Sequence, residues 1–190
     1  MSGEANIYLI GARACGKTTL GRRLSARLKR PFVDTDQRVL LRTGKTVAEL
    51  VAGGGWAAFR EAETLALSEV AVFTGQVVSC GGGIVLEQEN RDLLAGGRVF
   101  YLKAPVEILA ERLRRAPGHA QRPPLTGTDI TGGDIVAEVR QVLAEREALY
   151  LGCAKVVLRA DQPLEALVDE AMAEIDRLEG RQKKQAPEKG

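Results

Sequence analysis

Ile7-Tyr8-Leu9-Ile10 runs directly into Gly11-Ala12-Arg13-Ala14-Cys15-Gly16-Lys17-Thr18-Thr19, and Leu20, Leu24 and Leu28 follow at helical spacing. Apolar strand, glycine-bounded turn and amphipathic helix in that order are the context a phosphate-binding loop requires. The helix N-terminus presents N–H groups without intrahelical partners and a partial positive charge, and Lys17 adds a full one. The anion that fits such a cradle is the tail of a nucleoside triphosphate. In this reading residues Gly11 to Thr19 form the nucleotide cradle, Lys17 reaches the outer phosphates, and the Thr18 hydroxyl at the helix start is placed to ligate Mg²⁺.

The 190 residues, 45% apolar and 27% charged, suit one globular domain with a sizeable core. No apolar run approaches the ~18 residues of a membrane span. The opening Met-Ser-Gly-Glu lacks the basic start of a secretory signal, so the expectation is a cytoplasmic protein with no membrane partner. Cys15, Cys80 and Cys153 are odd in number and lack CxxC spacing, and a disulfide at Cys15 would obstruct the phosphate loop. They read as reduced thiols. The formal charge of +2 comes from the end of the chain, where Arg181, Lys183, Lys184 and Lys189 face only Glu188. Residues 1–180 therefore sum to −1, without the basic excess of a nucleic-acid binder, and residues 181–190 read as a polar, disordered tail. The single histidine, His119, leaves no multi-histidine zinc site and puts any Ser-His-Asp arrangement in a Pro/Gly loop.

Five β-branched runs, at 6–10, 32–34, 76–79, 98–102 and 155–158, alternate with helical patterns near 17–29, 36–42, 46–52, 56–73, 87–95, 105–115, 132–150 and 163–179. This is the βαβ rhythm of an α/β fold, a five-stranded parallel sheet with helices on both faces. Ligands in such sheets bind at the carboxyl ends of the strands, so the residues just after each strand matter most. Residues 116–133, with three prolines and four glycines, read as a long surface loop and a lid. Residues 44–55 end in Gly53-Gly54-Gly55 and look hinged, which makes 36–73 a flap over the sheet and not part of its core.

Several charged residues follow the strands. Asp34 and Asp36 end the second strand, and an i, i+2 spacing puts both carboxylates on one face if strand geometry continues. Asp34 is then the candidate to hold a metal through water, since the third strand, Val77-Val78-Ser79, ends without an Asp; the alternative is that the pair only caps the next helix. Arg146 occupies the apolar stripe of Ile135, Val139, Val142 and Leu149, where a guanidinium must meet either a protein carboxylate or a ligand anion. Arg60 lies one turn after Trp56 and three residues before Glu63, which permits an intrahelical pair that orients it. Gly81-Gly82-Gly83 after the third strand lets backbone approach a ligand closely, a weak signal by itself. Arg122 precedes Pro123-Pro124 in the lid-like loop, where it is either solvated or able to swing over a transferring phosphate.

Taken in order, the P-loop, FVDTD, WxxFRxxE (Trp56 to Glu63), the glycine triplet, RPxL (Arg122 to Leu125) and ERxxLY (Glu145 to Tyr150) make the chain resemble the shikimate kinase family, most like its type II form, over residues 5 to 175. The resemblance implies a P-loop NTPase-type three-layer fold and ATP-dependent phosphorylation of the 3-hydroxyl of shikimate, giving 3-phosphoshikimate and ADP. By motif, it implies that Arg60, Arg146 and the Gly81 to Gly83 turn grip the carboxylate and ring, and that Asp36 bonds the hydroxyls and is the candidate base. Asp34 would serve Mg²⁺ through water and Thr18 directly. Lys17 and Arg122 would stabilise charge on the moving phosphoryl group, and Arg13 and Arg112 would sandwich adenine. The chain departs from the family at Ala14, where glycine is usual; a positive φ there costs about 1 kcal/mol or more. The rival readings are a P-loop kinase for another polyol acid such as gluconate, and a nucleotide-binding module without catalysis.

Overall fold

The computed structural model describes residues 4–115 and 134–185. Arg122, the RPxL motif and the expected lid at 116–133 lie outside the described residues. Five strands, β1 (Ile7–Ile10), β2 (Phe32–Asp34), β3 (Val77–Ser79), β4 (Arg98–Lys103) and β5 (Val156–Arg159), form one all-parallel sheet in the order β2-β3-β1-β4-β5. The helices are α1 (Lys17–Leu28), α2 (Thr35–Thr43), α3 (Val47–Ala71), α4 (Gln88–Ala95), α5 (Val106–Arg115), α6 (Ile135–Cys153) and α7 (Leu164–Gln185). Residues in β1 are buried without alternation, as a strand covered on both faces demands.

One apolar cluster joins Ile7, Leu9 and Phe100 to Leu20, Leu24, Leu109 and Ile175; the other joins Tyr8, Ile10 and Tyr101 to Leu67, Val70, Leu94 and Tyr150. Successive residues of β1 thus point into opposite layers. The register aligns Leu9 with Ser79 and Ser79 with Asp34. The P-loop, the glycine triplet and the Asp34–Asp36 corner therefore leave the sheet side by side from three adjacent strands, β1, β3 and β2.

Three local expectations change. Strand geometry stops at Asp34: Asp34 is the N-cap of α2, and its Oδ1 accepts from the backbone N–H of Asp36 at 3.1 Å and of Gln37 at 3.4 Å. The two carboxylates thus reach the cleft from a cap and a first helical turn, not from one strand face. The 46–52 and 56–73 helices meet at Gly55, whose φ of 70° lies in the left-handed region and breaks α3. Before the break α3 begins with a capping box between Thr46 and Glu49. Past it, Phe59, Ala62 and Ala66 form a third cluster with Val39 of α2, whereas Leu67 and Val70 enter the sheet's own core. Leu67 and Val70, within the span expected to form a flap, thus turn an apolar face to the sheet. Finally, α7 continues to Gln185, five residues into the expected disordered tail. Arg, Gln and Lys are good helix formers, and no proline intervenes before Pro187.

At the amino ends of the strands, Arg30 and Arg98 are both buried and both donate to Oε1 of Glu179 on α7, each at 2.7 Å. Glu4 adds a second carboxylate to Arg30 at 2.6 Å. This clasp pins the Glu179 end of α7 at the amino ends of the strands.

Candidate active site

The P-loop closes on itself through Lys17, which is nearly buried and donates from Nζ to the carbonyls of Gly11 and Ala12, each at 2.9 Å. Gly11 (φ 140°) and Gly16 (φ 106°) take conformations that side-chain-bearing residues avoid. Ala14 does so too, at φ 65°, which realises the strain expected of an alanine there. The loop reverses at Ala14. Residue 13 consequently faces β3, where its backbone nitrogen lies 3.4 Å from the position a Cβ would take on Gly82. Residues 15 and 16 face β5, where the Cys15 carbonyl accepts from Arg112 at 3.3 Å.

That second side opens into a cleft lined by Thr19, Arg112, Gln162, Leu164 and Leu167 against the loop. Arg112 is held there by a 2.8 Å bond to the Ala160 carbonyl. Arg112 lines this cleft, and Arg13 stands one residue before the left-handed Ala14 on the same loop.

Thr18 donates from Oγ1 to Asp34 Oδ2 at 3.0 Å, and its oxygen lies 3.2 Å from Ser79 Oγ. Three oxygens from three elements therefore meet beside the cradle. A hard divalent cation takes such oxygens, and magnesium keeps most of its ligands as water and phosphate. Among the described residues no group of three or more His, Cys, Asp or Glu forms an all-protein cage. The donor set fits Mg²⁺ held by one or two side chains and a nucleotide.

The glycine triplet is the centre of the other half of the site. Gly81 donates its N–H to Thr35 Oγ1 at 2.9 Å, and a Cβ on Gly81 would fall 2.8 Å from Asp36 Oδ1 and onto Glu63 Oε1. A Cβ on Gly83 would fall onto the Arg60 guanidinium. The Gly82 carbonyl accepts from Arg146 Nη1 at 3.4 Å and from the Tyr150 hydroxyl. Asp36, Arg60 and Arg146, drawn from α2, α3 and α6, thus converge on the turn that follows β3.

Arg60 is oriented from several sides. It is ion-paired with Glu63 one turn along α3, and its guanidinium carbon lies 5.3 Å from the Trp56 ring centre and 5.0 Å from that of Phe59. Arg146 is 5% exposed, as the apolar stripe of α6 implied. Glu63 is almost fully buried, and burial pushes its carboxyl up to about 7; Arg60 and Arg146 oppose the rise, and the neighbouring Asp36 charge adds to it. Its Oε1 has no hydrogen-bond partner among the described residues.

Four residues of this arrangement were not singled out as site residues from sequence. Glu63 appeared only as a partner for Arg60, and Tyr150 only as a motif letter, although its place four residues after Arg146 puts both on one helix face. Thr35 and Ser79 carry no sequence signal, since their contacts depend on the β2–β3 register.

A P-loop flanked by the Thr18, Asp34 and Ser79 oxygens and by two arginines over a glycine turn fits a P-loop small-molecule kinase. The shikimate kinase family model matches residues 13–176. The chain is similar to shikimate kinase 2 of Syntrophotalea carbinolica, 49% identical over 87% of this chain and 94% of that one, and to the shikimate kinase of Nitratidesulfovibrio vulgaris, 46% identical over 88% and 93%. Among solved structures, a shikimate kinase from Acinetobacter baumannii in complex with shikimate superposes with a TM-score of 0.80 at 31% identity, covering 94% of both chains. The chain belongs to the shikimate kinase family.

Proposed function

We infer that the protein transfers the γ-phosphate of ATP to the 3-hydroxyl of shikimate, a step of aromatic amino-acid biosynthesis by way of chorismate, and that it does so in the cytoplasm; among the described residues no helix is long and apolar enough to cross a membrane. The observation that carries the reading is the convergence of Arg60, Arg146 and Asp36 on Gly81–Gly83, one strand away from the phosphate cradle. Two guanidiniums suit a planar carboxylate, and a carboxylate suits ring hydroxyls.

In this reading the shikimate carboxylate lies between Arg60 and Arg146, and Asp36 accepts hydrogen bonds from the ring hydroxyls. Asp36 is also the group placed to take the 3-hydroxyl proton. Lys17 exchanges its loop carbonyls for the outer phosphates when nucleotide enters, and the adenine lies between Arg13 and Arg112. Thr18 directly, and Asp34 through water, hold Mg²⁺, which when bound neutralises charge shared by the outer phosphates. Arg122, outside the described residues, is retained as the candidate lid cation.

A coupled ADP-release assay tests the reading. Turnover that requires ATP and shikimate together supports it. ADP release with gluconate alone, or nucleotide binding without turnover, discards it.

A further inference from the structure

The Gly82 carbonyl has two donors of unequal standing. Tyr150 is fully buried, its ring is stacked on Tyr101 with centres 5.0 Å apart and planes 22° apart, and its hydroxyl is close against the carbonyl oxygen. Arg146 reaches the same oxygen at 3.4 Å, the outer limit of a hydrogen bond, and its guanidinium is also hydrogen-bonded to the Tyr150 side chain. Tyr150 has few ways to move, because the stack and the second core cluster enclose it. Arg146 has a long flexible stem.

The Gly82 carbonyl is part-buried, and a carbonyl that loses its good donor there is drawn to whichever other donor can reach it. If the Tyr150 hydroxyl were absent, the nearest remaining donor would be the Arg146 guanidinium. Shortening that contact would move the charge back toward the glycine turn and away from the cleft. Because Gly82 and Gly83 share one trans peptide, the Gly83 N–H points opposite to the Gly82 carbonyl, away from α6, so a tilted carbonyl would also turn that donor.

We propose that Tyr150 is a positioning residue for the acidic substrate: through the Gly82 carbonyl and its contact with the Arg146 guanidinium, it holds that guanidinium where the substrate carboxylate meets it and fixes the tilt of the Gly81–Gly83 turn. The proposal rests on the assignment of Arg146 to that carboxylate. It does not make Tyr150 a catalytic residue, since its ring and hydroxyl lie behind the turn.

The test is a set of four proteins, wild type, Tyr150→Phe, Arg146→Lys and the double variant, with Tyr8→Phe as a control. Tyr8 is equally buried, and its hydroxyl accepts from Asn6 at 3.3 Å, near the start of β1. Steady-state kinetics with shikimate and ATP varied separately are read beside melting temperatures. The expected result for Tyr150→Phe is a KM for shikimate raised about 10-fold, the scale of one lost interaction with a charged group, with kcat within about twofold and KM for ATP unchanged. In the Arg146→Lys background the same substitution is expected to change the KM for shikimate less than about twofold, because the group it acts through is already altered. Tyr8→Phe is expected to leave both KM values unchanged.

The proposal is overturned by an unchanged shikimate KM in Tyr150→Phe. It is also overturned by an increase of equal size in both backgrounds, or by parallel losses in kcat and both KM values that track melting temperature. Wild type that fails to phosphorylate shikimate discards the functional reading itself, whereas wild type that turns over while Tyr150→Phe matches it discards only this proposal.

Discussion

The two ends of the sheet carry arginine–carboxylate clusters of the same formal charge, yet they are built for different ends. Beneath the strands, Arg30 and Arg98 meet Glu179 and Glu4; above them, Arg60 and Arg146 meet Glu63 and Asp36. Burial opposes the charge of Glu179, but direct bonds from Arg30 and Arg98 outweigh it and hold that carboxyl below its usual range. Glu63 is buried further, has a second carboxylate beside it, and is pushed up to about 7. The lower cluster therefore neutralises itself at any ordinary pH. The upper one gives up part of its negative charge near neutrality as Glu63 takes up a proton, and in the function proposed above its arginines face an outside anion. Identical residue types thus become a clasp or a receptor according to burial and spacing.

The comparison breaks most directly if either cluster behaves like the other. Arg60→Ala or Arg146→Ala is expected to lower kcat/KM for shikimate by roughly 100-fold, with the loss mostly in KM, since each removes a charge-assisted pair. Glu179→Gln should leave kcat/KM unaltered. It should instead lower the melting temperature by about 6 °C, because two buried guanidiniums lose a partner whose quarter exposure moderates the cost to about 2 kcal/mol. Steady-state kinetics beside thermal melts decide between these patterns.

Protonation sharpens the contrast next. As pH rises through about 7, Glu63 ionises and competes with the substrate carboxylate for Arg60, so the KM for shikimate should climb several-fold between pH 6 and about 8. In Glu63→Gln that climb should flatten, even though KM is higher throughout from weaker orientation of Arg60. A KM profile of unchanged slope would show that Glu63 does not titrate in this range.

Stability should follow opposite signs at the two ends. The folded pKa of Glu63 lies above its ordinary 4.5, so its contribution is complete below that value and fades as pH rises toward about 7. Glu179 lies below its ordinary 4.5, so its contribution is complete above that value and fades as pH falls through the folded pKa. Urea unfolding of wild type against each glutamine variant across this window should give stability differences that slope in opposite directions. Like slopes would mean that the two carboxylates are not set apart by their surroundings.

The smallest effect concerns the cradle. Ala14→Gly relieves a left-handed alanine but frees the unfolded chain, and the balance should be a gain of about 0.5–1 kcal/mol, seen as a melting temperature about 2 °C higher.

Much of this was legible in the sequence because local pattern and long-range order agreed. The P-loop announced β1 and α1 through its glycines and the leucine spacing, and all five strand positions fell within a residue or so of their observed bounds. Arg146 betrayed itself by interrupting an apolar stripe. The Asp34–Thr35–Asp36 corner was misread because an aspartate serves equally well as a strand residue and as a helix cap, and only the backbone turn at Thr35 decides between them. Tyr150 and Ser79 lay beyond reach for a different reason. Their partners, the Gly82 carbonyl and the Thr18 hydroxyl, are brought to them by strand order, and no spacing along the chain encodes that.

The approach of Gly82 to the P-loop backbone has one more consequence. In the function proposed above, the chambers for the two reactants are divided at that point by main chain alone, without a side chain on the triplet to thicken the wall. In that reading donor and acceptor lie near enough for phosphorus to pass between them, since a Cβ on Gly82 would already stand in contact with the P-loop backbone at 3.4 Å.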